Sequence, residues 1–212
     1  MSWLNDSETI SVQTSGSTGK SKEIQLLKKH MVNSALATGS FFNCHENTKA
    51  LLCLSANYIA GKMMLVRAMV LGLDIDCVEP TTNPQFDSKT TYDFCAMIPL
   101  QLSNTKERLN TIKTLIVGGA PVSNTLRDSI QKLPTRIFET YGMTETITHI
   151  AVKPINNFNE FICHSEHSEE SIRHAELVSV SHFNILQNIS ISQDNRDCLV
   201  IDAPKLSQTK TF

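Results

Sequence analysis

No apolar run in this chain approaches the roughly 20 residues of a membrane-spanning helix. Its first residues, Met1-Ser2-Trp3-Leu4-Asn5-Asp6, are polar and acidic rather than basic and then apolar, so no secretory signal is expected. Charge of one sign is lacking too: a net charge of −2 leaves no basic footprint for general nucleic-acid binding. The six cysteines, Cys44, Cys53, Cys77, Cys95, Cys163 and Cys198, contain no CxxC pair. Cys53, Cys77 and Cys95 sit in apolar runs, where a reduced thiol behaves as a small hydrophobe. These absences lead to the expectation of a soluble protein in the reducing cytoplasm, with neither nucleic acid nor membrane as partner. What remains is a globular composition: 41% hydrophobic and 19% charged residues allow 212 residues to form a packed core.

The most informative segment present is Thr14-Ser15-Gly16-Ser17-Thr18-Gly19-Lys20-Ser21-Lys22. Its glycines let backbone N–H groups converge, its hydroxyls add donors that reorient, and its lysines add mobile positive charge. Together these suit a clamp for a polyphosphate. A Walker loop needs a glycine where Thr14 stands, and it opens a helix, whereas Glu23-Ile24-Gln25-Leu26-Leu27 alternates like a strand. The Walker reading therefore fails. Taken alone, the segment is also compatible with a solvated Ser/Gly/Thr loop between strands.

Strand-like and helix-like segments alternate up to residue 155. Strands are predicted at 11–14, 23–27, 50–54, 75–78, 93–98, 114–117 and 136–139, and helices at 29–42, 59–71, 101–112 and 123–133. Gly72 is the expected stop of the second helix. Repeated β-α-β order with apolar strands predicts the α/β class, a largely parallel sheet covered by helices. Ligands of such sheets gather at loops beyond the carboxyl ends of the strands, where Gly118-Gly119 and Tyr141-Gly142 are expected. Segments 189–192 and 198–201 read as a β-hairpin.

Three segments in order, the Ser/Thr/Gly loop, Ile116-Val117-Gly118-Gly119-Ala120-Pro121 and Tyr141-Gly142-Met143-Thr144-Glu145-Thr146, resemble the AMP-forming adenylating enzymes. That family includes acyl-CoA synthetases, firefly luciferase and peptide-synthetase adenylation domains. The resemblance covers nearly all of residues 10–155 and resumes at 188–204, and it implies the fold of that family's large N-terminal domain. It implies ATP and Mg²⁺ as cofactors and coenzyme A as co-substrate. Residues 14–20 and Lys22 would then hold phosphates, and Gly118, Gly119, Ala120, Pro121, Glu139, Thr140, Tyr141, Gly142 and Met143 the nucleotide, with Tyr141 stacked on adenine. Thr144 would contact a phosphate oxygen and Glu145 would recruit Mg²⁺, giving Thr144, Glu145 and Lys20 as the catalytic set.

Asn57 to Arg67, Thr144 to Ala151 and Leu199 to Pro204 are similar to the short o-succinylbenzoate–CoA ligases of menaquinone-making bacteria, particularly the Bacteroidetes type. Such a substrate carries two carboxylates on an aromatic scaffold. One is activated, and the other needs a cation or strong donors, for which Tyr58, Gly61, Lys62, Arg67, Thr148 and His149 are candidates. Lys62 and Arg67 could equally snorkel from an apolar helix. Relatives often have histidine where Tyr58 stands, and proline where Ser21 stands.

Full-length relatives continue into a ribose-binding aspartate and a C-terminal lid with an adenylating lysine, whereas this chain ends at Phe212. The expected organisation is therefore an ATP/AMP-binding core at 1–155, an irregular, poorly ordered polar insertion at 156–187 and a hairpin segment at 188–212. The lid would be absent, leaving either a ligase impaired alone or a non-catalytic, decayed fragment with residual nucleotide binding, unless a separately encoded lid completes it; an adenylating enzyme for a different carboxylate is the remaining alternative. The insertion gathers Cys163, His164, His167 and His174, but their spacing matches no zinc pattern, and metal binding is not expected there.

Overall fold

The computed structural model describes residues 2–13, 22–157, 182–187, 189–195, 198–204 and 210–211. A seven-stranded sheet forms its centre, in the order β4-β3-β5-β6-β7-β8-β9. These strands are β3 (Lys49–Leu52), β4 (Asp74–Cys77), β5 (Tyr92–Met97), β6 (Ile112–Val117), β7 (Arg136–Gly142), β8 (His149–Pro154) and β9 (Asn184–Ile185). The first five are mutually parallel, and β8 runs antiparallel to both β7 and β9. The predicted α/β class and largely parallel sheet are what the chain adopts.

Helices cover both faces, as the two-sided apolar runs require. Leu51, Cys95, Met97, Leu115, Val117 and Ile137 point into one cluster with Leu102 of α3 (Pro99–Thr105) and Ile130 of α4 (Asn124–Ile130). The alternate residues Ala50, Leu52, Phe94, Ala96, Ile116 and Phe138 face α1 (Lys28–Phe42) and α2 (Ile59–Leu71) through Phe42, Met64 and Ala68. Asn43 and Gly72 end α1 and α2 in the left-handed region, at φ 54° and 71°, as a helix stop of this type demands.

A separate antiparallel hairpin, β1 (Thr9–Gln13) with β2 (Glu23–Leu27), pairs Gln13 with Glu23, so the Ser/Thr/Gly loop springs from its open end. Ile10, Val12 and Leu26 of the hairpin pack with Met31 of α1, Met63 and Val66 of α2, and Ile147. A third sheet consists of β10 (Ser190–Gln193), β11 (Leu199–Asp202) and β12 (Lys210–Thr211). Its first two strands are the predicted hairpin, anchored on the main sheet by Ile201 and Ala203 against Ile150.

Several expectations need correction. The helix predicted over 101–112 is α3 followed by a 3₁₀ turn at Lys106–Thr111, because Pro99 starts it early and its polar second half has no apolar stripe to bury. The strand predicted to end at Glu139 runs on to Gly142, because β8 pairs with it through Gly142↔His149. Tyr141 and Gly142 are therefore strand residues rather than loop. Strand β8 went unread. The insertion assigned to 156–187 is also too long at both ends: Asn156 is buried and accepts a hydrogen bond from Ile137 N, and Asn184–Ile185 is β9. Cys77 is exposed on the edge strand β4, unlike buried Cys53 and Cys95. Residues 158–181, with Cys163, His164, His167 and His174, lie outside the described residues.

Candidate functional site

The carboxyl ends of the parallel strands meet at one edge of the sheet, and the glycine-rich segment after β6 lies beside the end of β7. Gly118 N donates to Met97 O across β5. A Cβ on Gly118 would lie 2.3 Å from Thr140 Oγ1, so a neighbouring strand already occupies the space that the missing side chain leaves. Thr140 Oγ1 in turn donates to Val117 O at 3.1 Å. Gly119 is glycine for another reason: its φ is 83°, a conformation costly for other residues. Ala120 and Pro121 are exposed on the same loop.

Glu139 was expected to face the nucleotide. Its carboxylate instead turns inward, accepting from Val122 N at 3.0 Å and pairing with Arg127. The side chain is buried. It holds the 118–122 loop against β7, a positioning role that sequence reading missed.

Tyr141 is 39% exposed, and its ring meets Phe183 edge-on with centroids 6.1 Å apart. Beyond it, Thr144–Thr146 forms a 3₁₀ turn. Buried Thr146 braces that turn: its hydroxyl accepts from Met143 N at 3.0 Å and lies 2.9 Å from Thr148 O. The side chains of the half-buried Thr144 and Glu145 make no hydrogen bond or ion pair with any described residue, while Thr144 O accepts from Ile147 N at 3.0 Å. Ile147 follows at φ 70°, ψ −55°, a strained turn that costs a β-branched residue on the order of 1–3 kcal/mol. It is buried beneath the β1–β2 hairpin, so that hairpin and the Thr144-Glu145 turn share one core. Thr14, Ser15, Gly16, Ser17, Thr18, Gly19 and Lys20 lie outside the described residues, and Lys22 is exposed at the start of β2.

A second group of candidates lies between α1, α2 and β8. Arg67 of α2 is only 2% exposed, yet no carboxylate of a described residue pairs with it. Burial drags its guanidinium down to about 10, still far above neutrality, so it remains a cation. Nη2 donates to Thr148 Oγ1 at 3.2 Å, and Nε has no partner. His149 is 5% exposed, with Nδ1 3.3 Å from Thr148 Oγ1 and Nε2 3.4 Å from Thr38 Oγ1. Both ring nitrogens are therefore occupied internally. His149 supports Thr148 rather than presenting itself to a ligand, which corrects its expected role as a direct contact.

The other candidates divide. Tyr58, just before α2, is 54% exposed and available. Lys62 Nζ donates to Ala56 O and Asn57 O at 2.8 and 2.9 Å, tying down the turn that precedes α2. Gly61 is a packing residue, since a Cβ there would stand 2.3 Å from Ser55 O.

Burial, with Arg67 second, pushes the His149 imidazole well below its ordinary 6.5. A depressed folded value means that the native state favours neutral histidine. The resulting stability is complete above pH 6.5 and is lost as pH falls towards the depressed folded value. Denaturation midpoints measured from pH 7.5 downward should fall more gently for His149→Gln, by up to about 1.4 kcal/mol per pH unit. Parallel profiles for the two proteins would refute this.

Glu145 offers a carboxylate with no described partner beside the Thr144 hydroxyl, a donor set that suits a magnesium ion. No group of three or more His, Cys, Asp or Glu side chains that could hold a metal occurs among the described residues. Such a site suits a cation carried mainly by substrate phosphates.

Comparison with known proteins agrees with this geometry. The family model for AMP-binding enzymes matches residues 9–172. A 2-succinylbenzoate–CoA ligase from Oceanobacillus iheyensis is 26% identical over 148 residues, covering 65% of this chain and 30% of the relative. A solved acyl-CoA synthetase (AMP-forming)/AMP-acid ligase II-like protein from Dyadobacter fermentans superposes with a TM-score of 0.81 and 33% identity, over 100% of this chain and 57% of that one. An o-succinylbenzoate coenzyme A synthetase from Bacillus subtilis, in complex with ATP and magnesium ion, shares the fold at a TM-score of 0.70, 18% identity, and 95% and 42% coverage. The chain spans about a third of the length of the curated relatives it matches. With its matched segment, its parallel sheet and its glycine and Tyr-Gly-Met-Thr-Glu segments side by side, this chain belongs to the AMP-binding enzyme family.

Proposed function

We propose that this chain forms the nucleotide-binding and acid-selecting core of an AMP-forming carboxylate–CoA ligase acting on o-succinylbenzoate in menaquinone biosynthesis. In the reaction a carboxylate oxygen attacks the α-phosphorus of ATP, the bond to the bridging oxygen breaks, and pyrophosphate leaves. The thiol of coenzyme A then displaces AMP from the acyl-adenylate and gives up its proton. Thr144 donates to a phosphate oxygen as charge builds there, and Tyr141 lies along the adenine. Glu145 and the triphosphate would hold Mg²⁺, which supplies charge neutralisation for the departing pyrophosphate. Loop residues Thr14 to Lys20, with Lys22, bind the phosphates.

The observation that carries the choice of acid is Arg67, a buried cation with an unpaired Nε–H and no carboxylate of its own among the described residues. An uncompensated buried charge is costly, and a second carboxylate on the substrate would relieve it. The direct test is ATP–pyrophosphate exchange dependent on o-succinylbenzoate; failure of that acid to support exchange, while other acids do, would remove the substrate assignment. Arg67→Met should leave the fold intact, because it replaces an unpaired charge by an apolar chain of similar length. It should raise the KM for o-succinylbenzoate roughly 10- to 100-fold, the worth of one charged hydrogen bond. The KM for 3-benzoylpropanoate, the same scaffold with one carboxylate, should not move. Equal effects on both acids would count against Arg67 as the recognition group.

A further inference from the structure

Arg67 does not stand alone. Thr148, its one oxygen partner among the described residues, opens a line of hydrogen bonds that runs from α2 through the start of β8 to α1, and chemistry gives that line a single direction. Arginine can only donate, so at 3.2 Å Arg67 Nη2 gives its proton to Thr148 Oγ1. Thr148 has one hydroxyl proton left to place, and His149 Nδ1 lies 3.3 Å away. At the far end, Thr38 Oγ1 donates to Ser34 O at 2.9 Å, which leaves its lone pair facing His149 Nε2 at 3.4 Å. A neutral imidazole has one donor and one acceptor. The arrangement is satisfied when Nε2 carries the proton towards Thr38 and Nδ1 accepts from Thr148. The reverse tautomer would set two acceptors against each other at Thr38, a bare Nε2 facing an oxygen whose proton is already given to Ser34 O. It would also point an N–H at Thr148, whose hydroxyl oxygen already accepts from Arg67.

Thr38 and Ser34 are fully buried on α1, outside every sequence segment associated with substrate, although Thr38 touches His149. Phe42 of the same helix closes the ring's surroundings, its centroid 6.5 Å from that of His149. No other titratable side chain hydrogen-bonds to the imidazole among the described residues.

We infer that Thr38 is a positioning residue for the remote carboxylate of a dicarboxylic acid. By accepting from His149 Nε2 it fixes the tautomer, which turns the Thr148 hydroxyl proton away from Arg67 and holds the guanidinium with its buried Nε–H unpaired, the donor left for the ligand's carboxylate. The inference rests on the reading of Arg67 as the group that meets the second carboxylate.

The test uses the full chain with histidine labelled by ¹⁵N, in wild type, Thr38→Ser and Thr38→Val. Long-range nitrogen–proton spectra assign each tautomer, and calorimetry gives Kd for o-succinylbenzoate and for 3-benzoylpropanoate. Wild type and Thr38→Ser should both show a protonated Nε2 and a bare Nδ1 at His149. Thr38→Val, which keeps the shape and removes the acceptor, should lose that preference. Its Kd for o-succinylbenzoate should weaken about 10-fold, with no change for the monocarboxylate. Thr38→Ser should restore both properties. An unchanged tautomer in Thr38→Val, or a changed tautomer with an unchanged ratio of the two Kd values, overturns the inference. If wild type fails to distinguish the two acids at all, the reading of Arg67 falls, and this inference falls with it. If wild type prefers the dicarboxylate and Thr38→Val does too, only the role of Thr38 is lost.

Discussion

Exchange of pyrophosphate into ATP is expected to fall by about two to three orders of magnitude when Glu145 is replaced by glutamine. The residue sits on a short 3₁₀ turn whose shape is maintained by Thr146, not by Glu145 itself. Its carboxylate pairs with no described residue, so glutamine should leave stability within roughly 0.5 kcal/mol of wild type. Loss of activity without loss of stability is the signature of a group that acts on the substrate. Raising the magnesium concentration should restore part of the exchange, because the neutral amide weakens binding of the cation more than it disturbs the turn. An exchange rate equal to wild type at ordinary magnesium would remove Glu145 from the machinery. An equal drop in melting temperature and rate would make it structural instead.

The other large effect should come from Gly142→Ala, and here stability and activity should fall together. Gly142 lies where the register between β7 and β8 slips, after Tyr141 and opposite His149. A Cβ there would stand 2.2 Å from Thr148 O and 2.5 Å from His149 Cα. Both obstacles are backbone, which no rotamer change can clear. Strand β8 would have to retreat, taking with it Thr148 and His149 on one side and the Tyr141–Glu145 segment on the other. Overpacking of this kind costs on the order of 3 kcal/mol, or roughly 6–12 °C in melting temperature for a chain of this size. Calorimetry and the exchange assay should both register it. A melting temperature within 2 °C or so of wild type would show that β8 is more compliant than its packing implies.

Much of the fold was legible because buried parallel strands announce themselves as uninterrupted apolar runs. Ala50 to Leu52 and Leu115 to Val117 could be read in this way, and Gly72 marked its helix end by chemistry alone. Strand β8 escaped notice because His149-Ile150-Ala151-Val152-Lys153-Pro154 mixes a histidine, a lysine and a proline into a short run. What makes it a strand is pairing with β7, a contact between residues rather than a property of either. Strand β9 is two residues long and has no local signature at all. The same limit explains Glu139, whose partners Val122 and Arg127 are 17 and 12 residues away.

By itself the sequence determined the order of the Ser/Thr/Gly, glycine and Tyr-Gly-Met-Thr-Glu segments, and with it the family to which the chain belongs. Those motifs are local: each is a backbone shape or a donor set built from consecutive residues. Only the tertiary structure decided which candidates meet. Arg67, Thr148, His149 and Thr38 come from two helices, a strand and the bend before it, and Thr38 is 111 residues from His149. It also separated the groups that face outward, Tyr58 and Tyr141, from those that hold others in place, Glu139, Lys62 and His149. The physical reason is burial. A side chain's role depends on whether water or another residue satisfies it, and that is settled only when the chain has packed.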